Sequence, residues 1–273
     1  SRPGKPFLKK IKKNQAIKIY TGAYILRDIT RVNTVCMEED CYSDGKKVRI
    51  TKKFKTGNNI RIKGEDVKKK QRIFLSGRKV RSMDLAQLYS IGVKKIKVFK
   101  KIRVGIFSSG DELCEFPKKK SKYEIYDANK LVLVSLFKKI GCEVNDLGIV
   151  KDNYCETKKL ILNKIKSLDV IITSGGISKS KTDKIGEFFK SNAQIKFWRL
   201  SIKPGRPFAV GTIKNTPFIG LPGNPVATII TFFMLVIDYI NVLSGLKEKQ
   251  TIERILPCDF EMKKRKGRTE WLR

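Results

Sequence analysis

Apolar positions along the chain fall into two regimes. Up to about residue 100 they form short runs, at Ala16–Tyr20, Val48–Thr51, Ile60–Ile62 and Arg72–Leu75. Runs of this length and alternation read as strands. Turn-forming clusters separate them at Ser43-Asp44-Gly45, Gly57-Asn58-Asn59 and Ser76-Gly77-Arg78. The pattern predicts a mainly β segment closed by one helix over Ser82–Ile91, with Ser82 as N-cap and Gly92 just past its end.

From about residue 101, strand and helix patterns alternate. Strands are predicted over Ile102–Ser108, Cys142–Val150 and Val170–Thr173, and helices over Asp127–Ile140, Cys155–Ser167 and Lys184–Ser191. Ile195–Leu200 reads as extended, and Phe208–Val210 with Phe218–Leu221 as a hairpin. A long apolar helix follows over 226–243. Strand–helix–strand repetition gives an α/β class with a parallel sheet and helices on both faces. The division expected is therefore a mainly β domain over 1–100, an α/β domain over 101–247, and the start of a further unit over 248–273. The chain begins at Ser1 without a methionine, and a fragment of a longer protein is the expectation. No signal peptide is visible, so the expected compartment is cytoplasmic. The 226–243 helix carries Asp238 and Asn241, and its uninterrupted apolar run is too short for a bilayer. It is expected to be a core helix that starts at Pro225, with no membrane role.

The formal net charge of +34 raises the prospect of a nucleic-acid partner. The excess is mostly lysine and is spread along the chain, whereas phosphate and base readers favour the forked guanidinium of arginine. Clusters such as Lys68-Lys69-Lys70 and Lys118-Lys119-Lys120 read as solvated loops or helix ends, and the aromatics read as core. No nucleic-acid role is therefore expected. The chain has no histidine, which removes histidine-based triads, proton shuttles and metal ligands. Any metal must be a hard cation held by oxygens. The six cysteines include no CxxC pair and read as free thiols.

Candidate chemistry concentrates at predicted strand ends. Val170–Ser174 runs into Gly175-Gly176, whose backbone can approach an anion closely. Leu221-Pro222-Gly223-Asn224-Pro225 joins a strand to a helix; Gly223 and Asn224 can adopt left-handed angles, and their N–H groups with the helix N-terminus would form an anion nest, the alternative being a plain strand–helix connection. Lys203 and Arg206 flank a Pro-Gly turn suited to phosphate or a tetrahedral oxometalate. Carboxylates Asp111, Glu112, Asp152 and Asp183 follow strands, with Asp111 open to a capping role instead. Glu112, Asp152 and Asp183 are expected to converge at one edge of the sheet, where acids beside phosphate cradles point to magnesium.

Seven stretches, taken in order, resemble one family, the molybdopterin molybdenumtransferases that include the gephyrin E domain. They are Ile19-Tyr20-Thr21-Gly22-Ala23, Arg61-Ile62-Lys63-Gly64-Glu65-Asp66, Phe107-Ser108-Ser109-Gly110-Asp111-Glu112-Leu113, Ile125-Tyr126-Asp127-Ala128-Asn129, Thr173-Ser174-Gly175-Gly176-Ile177-Ser178, Ile202-Lys203-Pro204-Gly205-Arg206-Pro207-Phe208 and Gly220-Leu221-Pro222-Gly223-Asn224-Pro225-Val226. The chain departs from the family's usual residues at Ser180, Lys184, Arg199 and Ala227.

The resemblance implies that adenylylated molybdopterin binds across the α/β domain, and that AMP leaves as molybdate enters the dithiolene, with Mg2+ as cofactor. Glu112, Asp152 and Asp183 would manage the metal and the adenylyl phosphate, with Glu112 and Asp183 as metal ligands. Lys203 and Arg206 would hold molybdate or phosphate. Ser109, Gly175, Gly176, Ser178, Gly223 and Asn224 would line the binding surface. Thr21, Arg61 and Asp66 would complete the pocket at a homodimer interface. Arg268 and Arg273 match the opening of the family's C-terminal β domain, and a molybdopterin adenylyltransferase would be the pathway partner. Alternatives are an adenylyltransferase-like enzyme, which the first hundred residues disfavour, and a basic nucleic-acid-binding or scaffolding protein.

Overall fold

The computed structural model describes residues 1–177, 184–247, 254–263 and 266–271. It divides into two compact units, Ser1–Phe74 and Leu75–Arg273.

The first unit has little regular structure. It contains a helical turn, α1 (Arg27–Thr30), a 3-10 turn at Glu38–Asp40, and an antiparallel hairpin of β1 (Cys41–Ser43) and β2 (Val48–Ile50). The hairpin turn forms because Asp44 Oδ1 accepts the N–H groups of Lys46 and Lys47 at 2.8 and 2.6 Å. Of the four predicted strands only Val48–Thr51 becomes one. Ala16–Tyr20, Ile60–Ile62 and Arg72–Leu75 find no strand partner. Short apolar runs pair only when a sheet face is there to bury them, and Thr30 is the single buried residue of this unit. Its mainly β reading therefore narrows to one hairpin.

The second unit opens with α2 (Ser82–Ser90). Its N-cap is Arg81 rather than Ser82. Asp84 Oδ2 accepts the Arg81 N–H at 2.9 Å, and Arg78 clamps the same carboxylate, so a side chain in the first turn does the capping. Gly92 follows the helix with φ +78°, as expected of a terminating glycine.

The core is a six-stranded sheet. Its strands are β3 (Arg103–Ser109), β6 (Glu143–Val150), β7 (Val170–Ser174), β8 (Gln194–Trp198), β10 (Ala209–Ile213) and β11 (Thr216–Leu221), in the order β6-β3-β7-β11-β10-β8. The short strands β4 (Leu113–Cys114) and β5 (Ile125–Tyr126) pair with each other, as do β9 (Ile202–Lys203) and β12 (Thr269–Glu270). β6, β3, β7 and β11 are parallel, whereas β10 runs antiparallel to both β11 and β8. The sheet is mixed rather than wholly parallel because β10 and β11 are joined by a tight Lys214-Asn215 turn, which forces antiparallel pairing.

Alternation along the strands sorts the core into two layers. Val104, Ile106, Val170, Ile172, Ile219 and Leu221 face α3 (Ala128–Lys139) and the long helix that runs as α6 (Pro225–Thr231), a π-helical stretch at Phe232–Val236, and α7 (Ile237–Leu243). Phe107, Ile171 and Phe218 face α4 (Tyr154–Lys164) and α5 (Lys184–Asn192). Gly105 is required where a Cβ would strike Leu168 and Leu147. The long helix is apolar enough to span a membrane by length and composition, yet Phe232, Val236 and Ile240 are buried against the sheet. Its outer side departs from the core-helix expectation, since Phe233 and Met234 are exposed.

Candidate functional site

Parallel pairing brings the carboxyl ends of β3, β6, β7 and β11 to one edge of the sheet, and the loops leaving them share a rim. Ser108 lies opposite Ser174 in register, and Ser174 lies opposite Leu221. The loop after β7 turns at once through Gly175 (φ +85°) and Gly176 (φ +65°). No side chain fits at Gly175, since a Cβ would lie 2.5 Å from the Ser109 carbonyl oxygen. Gly175 N–H donates to Leu221 O at 3.1 Å, joining the ends of β7 and β11. Across this seam Gly223 approaches Gly175 closely, and both Gly223 and Asn224 are exposed.

Asn224 is not left-handed. With φ −71° and ψ 125° it is the N-cap of α6, its Oδ1 accepting the Ala227 N–H at 3.2 Å, with Pro225 at N1. Gly223 is also outside the left-handed region. The anion-facing feature here is a capped helix start.

The acidic side of the rim comes from β3 and β6. Ser109 Oγ donates to Asp152 Oδ1 at 2.8 Å, linking residues 43 positions apart. Asp152 N–H donates to Asp111 Oδ1 at 3.0 Å, so Asp111 fastens the β6 loop and caps no helix. The Glu112 carboxylate folds back over Gly110, whose own Cβ position it would occupy. Lys151 Nζ holds the loop from beneath, donating to the carbonyls of Asp111 and Leu113 at 2.7 and 3.0 Å. The structure thus gathers Ser109, Glu112, Asp152, Gly175, Gly176, Gly223 and Asn224 on four adjacent loops.

The other expected residues have the following local surroundings. Lys203 Nζ sits 3.5 Å from Glu270 Oε1, directly opposite it in the β9–β12 pair, and Arg206 is exposed beside the buried Gly205. In the first unit Thr21 is in an exposed Tyr20–Ala23 turn, and Arg61 pairs with Asp66 and Glu65. Ser178, Ser180, Asp183 and Arg273 lie outside the described residues.

Sequence reasoning quoted Asn129 in the fourth family-like stretch but gave it no role. Its amide Nδ2 donates to Ser174 Oγ at 2.9 Å and to Gly223 O at 2.8 Å. The available signal was an asparagine in the first turn of a helix already capped by Asp127, a poor helix former placed beside a strand end. Two polar atoms close by, Ser108 Oγ and Asp127 Oδ2, are buried with no hydrogen-bond partner among the described residues. Such atoms call for a partner that solvent or a ligand can supply, and Trp198 Nε1 and Glu270 Oε1 share the property. A hollow lined by Asn192, Gln194 and Asn215 lies at the β10–β11 turn, the opposite edge of the sheet, and carries no such chemistry.

Glycine-lined turns, a helix start and carboxylates at one rim match a recognised domain class. The model of the "probable molybdopterin binding domain" matches residues 105–242, so the α/β unit is of the molybdopterin-binding class. The "MoeA N-terminal region (domain I and II)" matches residues 1–92. The molybdopterin molybdenumtransferase of Haemophilus influenzae is 35% identical over 99% of this chain and 67% of its own length. That of Nostoc sp. is 32% identical over 85% of this chain and 53% of its own. A solved molybdopterin biosynthesis MoeA protein from Pyrococcus horikoshii superposes with a TM-score of 0.73 at 27% identity, over 90% of this chain and 61% of that one. The chain belongs to the molybdopterin molybdenumtransferase family, and it spans between about half and two thirds of these relatives' lengths.

Proposed function

We propose that this chain carries the molybdenum-insertion activity of its family: transfer of molybdenum from molybdate into adenylylated molybdopterin, with release of AMP. Family membership across nearly the whole chain is the observation that carries this reading. The match over residues 1–92 favours it over an adenylyltransferase built from the α/β domain alone.

The ligand's phosphates are assigned to the Gly175-Gly176 turn and the α6 N-terminus, whose backbone N–H groups and dipole stabilise anionic oxygen. Ser109 and Asp152 orient the neighbouring loop. Lys203 and Arg206 are the proposed oxyanion ligands for molybdate. Thr21, Arg61 and Asp66 are assigned to complete the site in a homodimer, and a molybdopterin adenylyltransferase is proposed as the supplier of the nucleotide, in the cytoplasm.

The donors at the rim are all oxygens, which suits a hard cation. No group of three metal-ligating side chains forms among the described residues, but magnesium commonly takes one or two carboxylates and completes its shell with phosphate and water. Glu112 and Asp183 would hold it. Bound there, it would neutralise charge on the phosphates.

The test is to incubate the protein with adenylylated molybdopterin and magnesium, and to quantify AMP with and without molybdate. AMP release that requires molybdate is expected. No release in the complete reaction removes the assignment.

A further inference from the structure

We infer that Asn129 is a positioning residue that sets the spacing between the two backbone cradles of the rim. The inference rests on the reading that the ligand's phosphates lie at those cradles. Asn129 is the second residue of α3, in its first turn, just behind the Asp127 cap whose Oδ1 accepts the Lys130 N–H at 3.0 Å. From there its amide spans to two loops that are 49 residues apart in sequence, from Ser174 to Gly223, and uses one N–H on each. Ser174 immediately precedes the Gly175-Gly176 turn, and Gly223 immediately precedes the Asn224 cap of α6.

Among the described residues, the main-chain bond from Gly175 N–H to Leu221 O also ties these two strand ends beyond the regular ladder. The glycines meet at van der Waals distance, a Gly223 Cβ position being 3.8 Å from the Gly175 Cα. Ile177 packs on Gly220 further back along the strands, but no side chain interlocks Gly175 with Gly223, and there the amide of Asn129 supplies the link by hydrogen bonding. Both amide hydrogens are needed. Aspartate has the same shape and no donor, serine has one donor on a shorter arm, and glutamine is one methylene too long. Asn129 need not touch the ligand. It acts through the direction in which the amides of Gly176 and Asn224 point, the Gly175 N–H being held by Leu221 O.

Two measurements on the full chain separate this inference from the functional reading. The first needs no ligand. In Asn129→Asp, hydrogen exchange at residues 175–176 and 223–227 should accelerate at least tenfold while amides within β3, β7 and β11 keep their protection. Unchanged exchange at the two loops overturns the inference, and so does uniform acceleration across the sheet, which would make Asn129 a general structural residue. The second uses AMP as probe. The Kd of Asn129→Asp should rise about tenfold or more, the scale of one lost charge-oriented hydrogen-bond pair. In Ser174→Ala the rise should be smaller. In the double variant the rise should fall short of the product of the two, because both changes cut one bond. A wild-type protein that binds no AMP contradicts the functional reading while the exchange result still decides the role of Asn129. Wild-type binding with an unaltered Kd in Asn129→Asp contradicts the inference alone.

Discussion

At the residue scale, the rim depends on positions that only one side chain, or none, can fill. Gly175→Ala should cost about 2–3 kcal/mol, because alanine must adopt a left-handed conformation and push against the Ser109 carbonyl. A urea midpoint lowered at unchanged m-value checks this. Glu112→Gln should behave in the opposite way. The side chain is exposed and folded over Gly110, so stability should hold, while AMP release falls about a hundredfold or more if its charge is used in the reaction. Release at the wild-type rate would clear Glu112 of that role. The turn at the glycine pair was legible in the sequence because two glycines after an apolar run signal a tight backbone turn; a ligand role was not, since such pairs often serve as turns alone. The conformation of Asn224 was not, since asparagine serves equally as a left-handed residue and as an N-cap, and only the α6 helix start decides between them. The role of Asn129 was not readable because both of its partners are distant in sequence.

At the scale of elements, α3 is held over the sheet by a buried lysine. Lys130 Nζ lies 2.9 Å from Glu115 Oε1 and 3.1 Å from Asp146 Oδ1, with its side chain almost fully enclosed. Burial pushes its pKa down, but the two carboxylates outweigh burial and raise it overall. A raised lysine pKa stabilises the fold below the ordinary value of about 10.4, and that contribution is lost as pH climbs through the folded value. Lys130→Met should therefore be destabilised by about 1–2 kcal/mol at neutral pH and should lose less than wild type between neutral and strongly alkaline pH. At the edge of the sheet away from the rim, Arg103 grips Asp169 through its backbone N–H and its guanidinium at 2.8–3.1 Å. The guanidinium holds the Asp169 carboxyl below its usual range. This contribution is complete above the unfolded value of about 3.9 and disappears as pH falls through the folded value. Asp169→Asn should cost about 1 kcal/mol, an amount discounted for solvent screening of a partly exposed pair, and should flatten the acid limb of a stability–pH profile. The strand–helix succession of this unit was readable because each element buries a face of its own. The first unit was not, because its apolar runs have no sheet to face and one buried residue to share.

At the scale of the whole molecule, the charge of +34 is the feature most open to misreading. Lys68–Lys70 and Lys118–Lys120 are all exposed, as solvated loops should be. The aromatics divide more evenly than the sequence led one to expect: Phe107, Phe137, Phe188 and Phe189 are fully buried, while Phe116 and Tyr123 stand out from the lysine-bearing 115–124 loop. A chain this basic will cling to nucleic acid at low salt, with affinity falling steeply as salt rises. Our account expects no retention of single-stranded RNA or DNA at about 150 mM salt, where counterion release no longer favours scattered lysines. Filter binding or anisotropy checks it, and tight retention there would favour the nucleic-acid reading. The account as a whole depends on the carboxyl edge of the sheet being where the nucleotide lands. Hydrogen exchange of the wild-type protein with and without AMP addresses this most directly. Protection confined to residues 109–112, 174–177 and 221–227 is the predicted result. Protection at the opposite edge, around 191–194 and 212–215, with none at the rim, would contradict it.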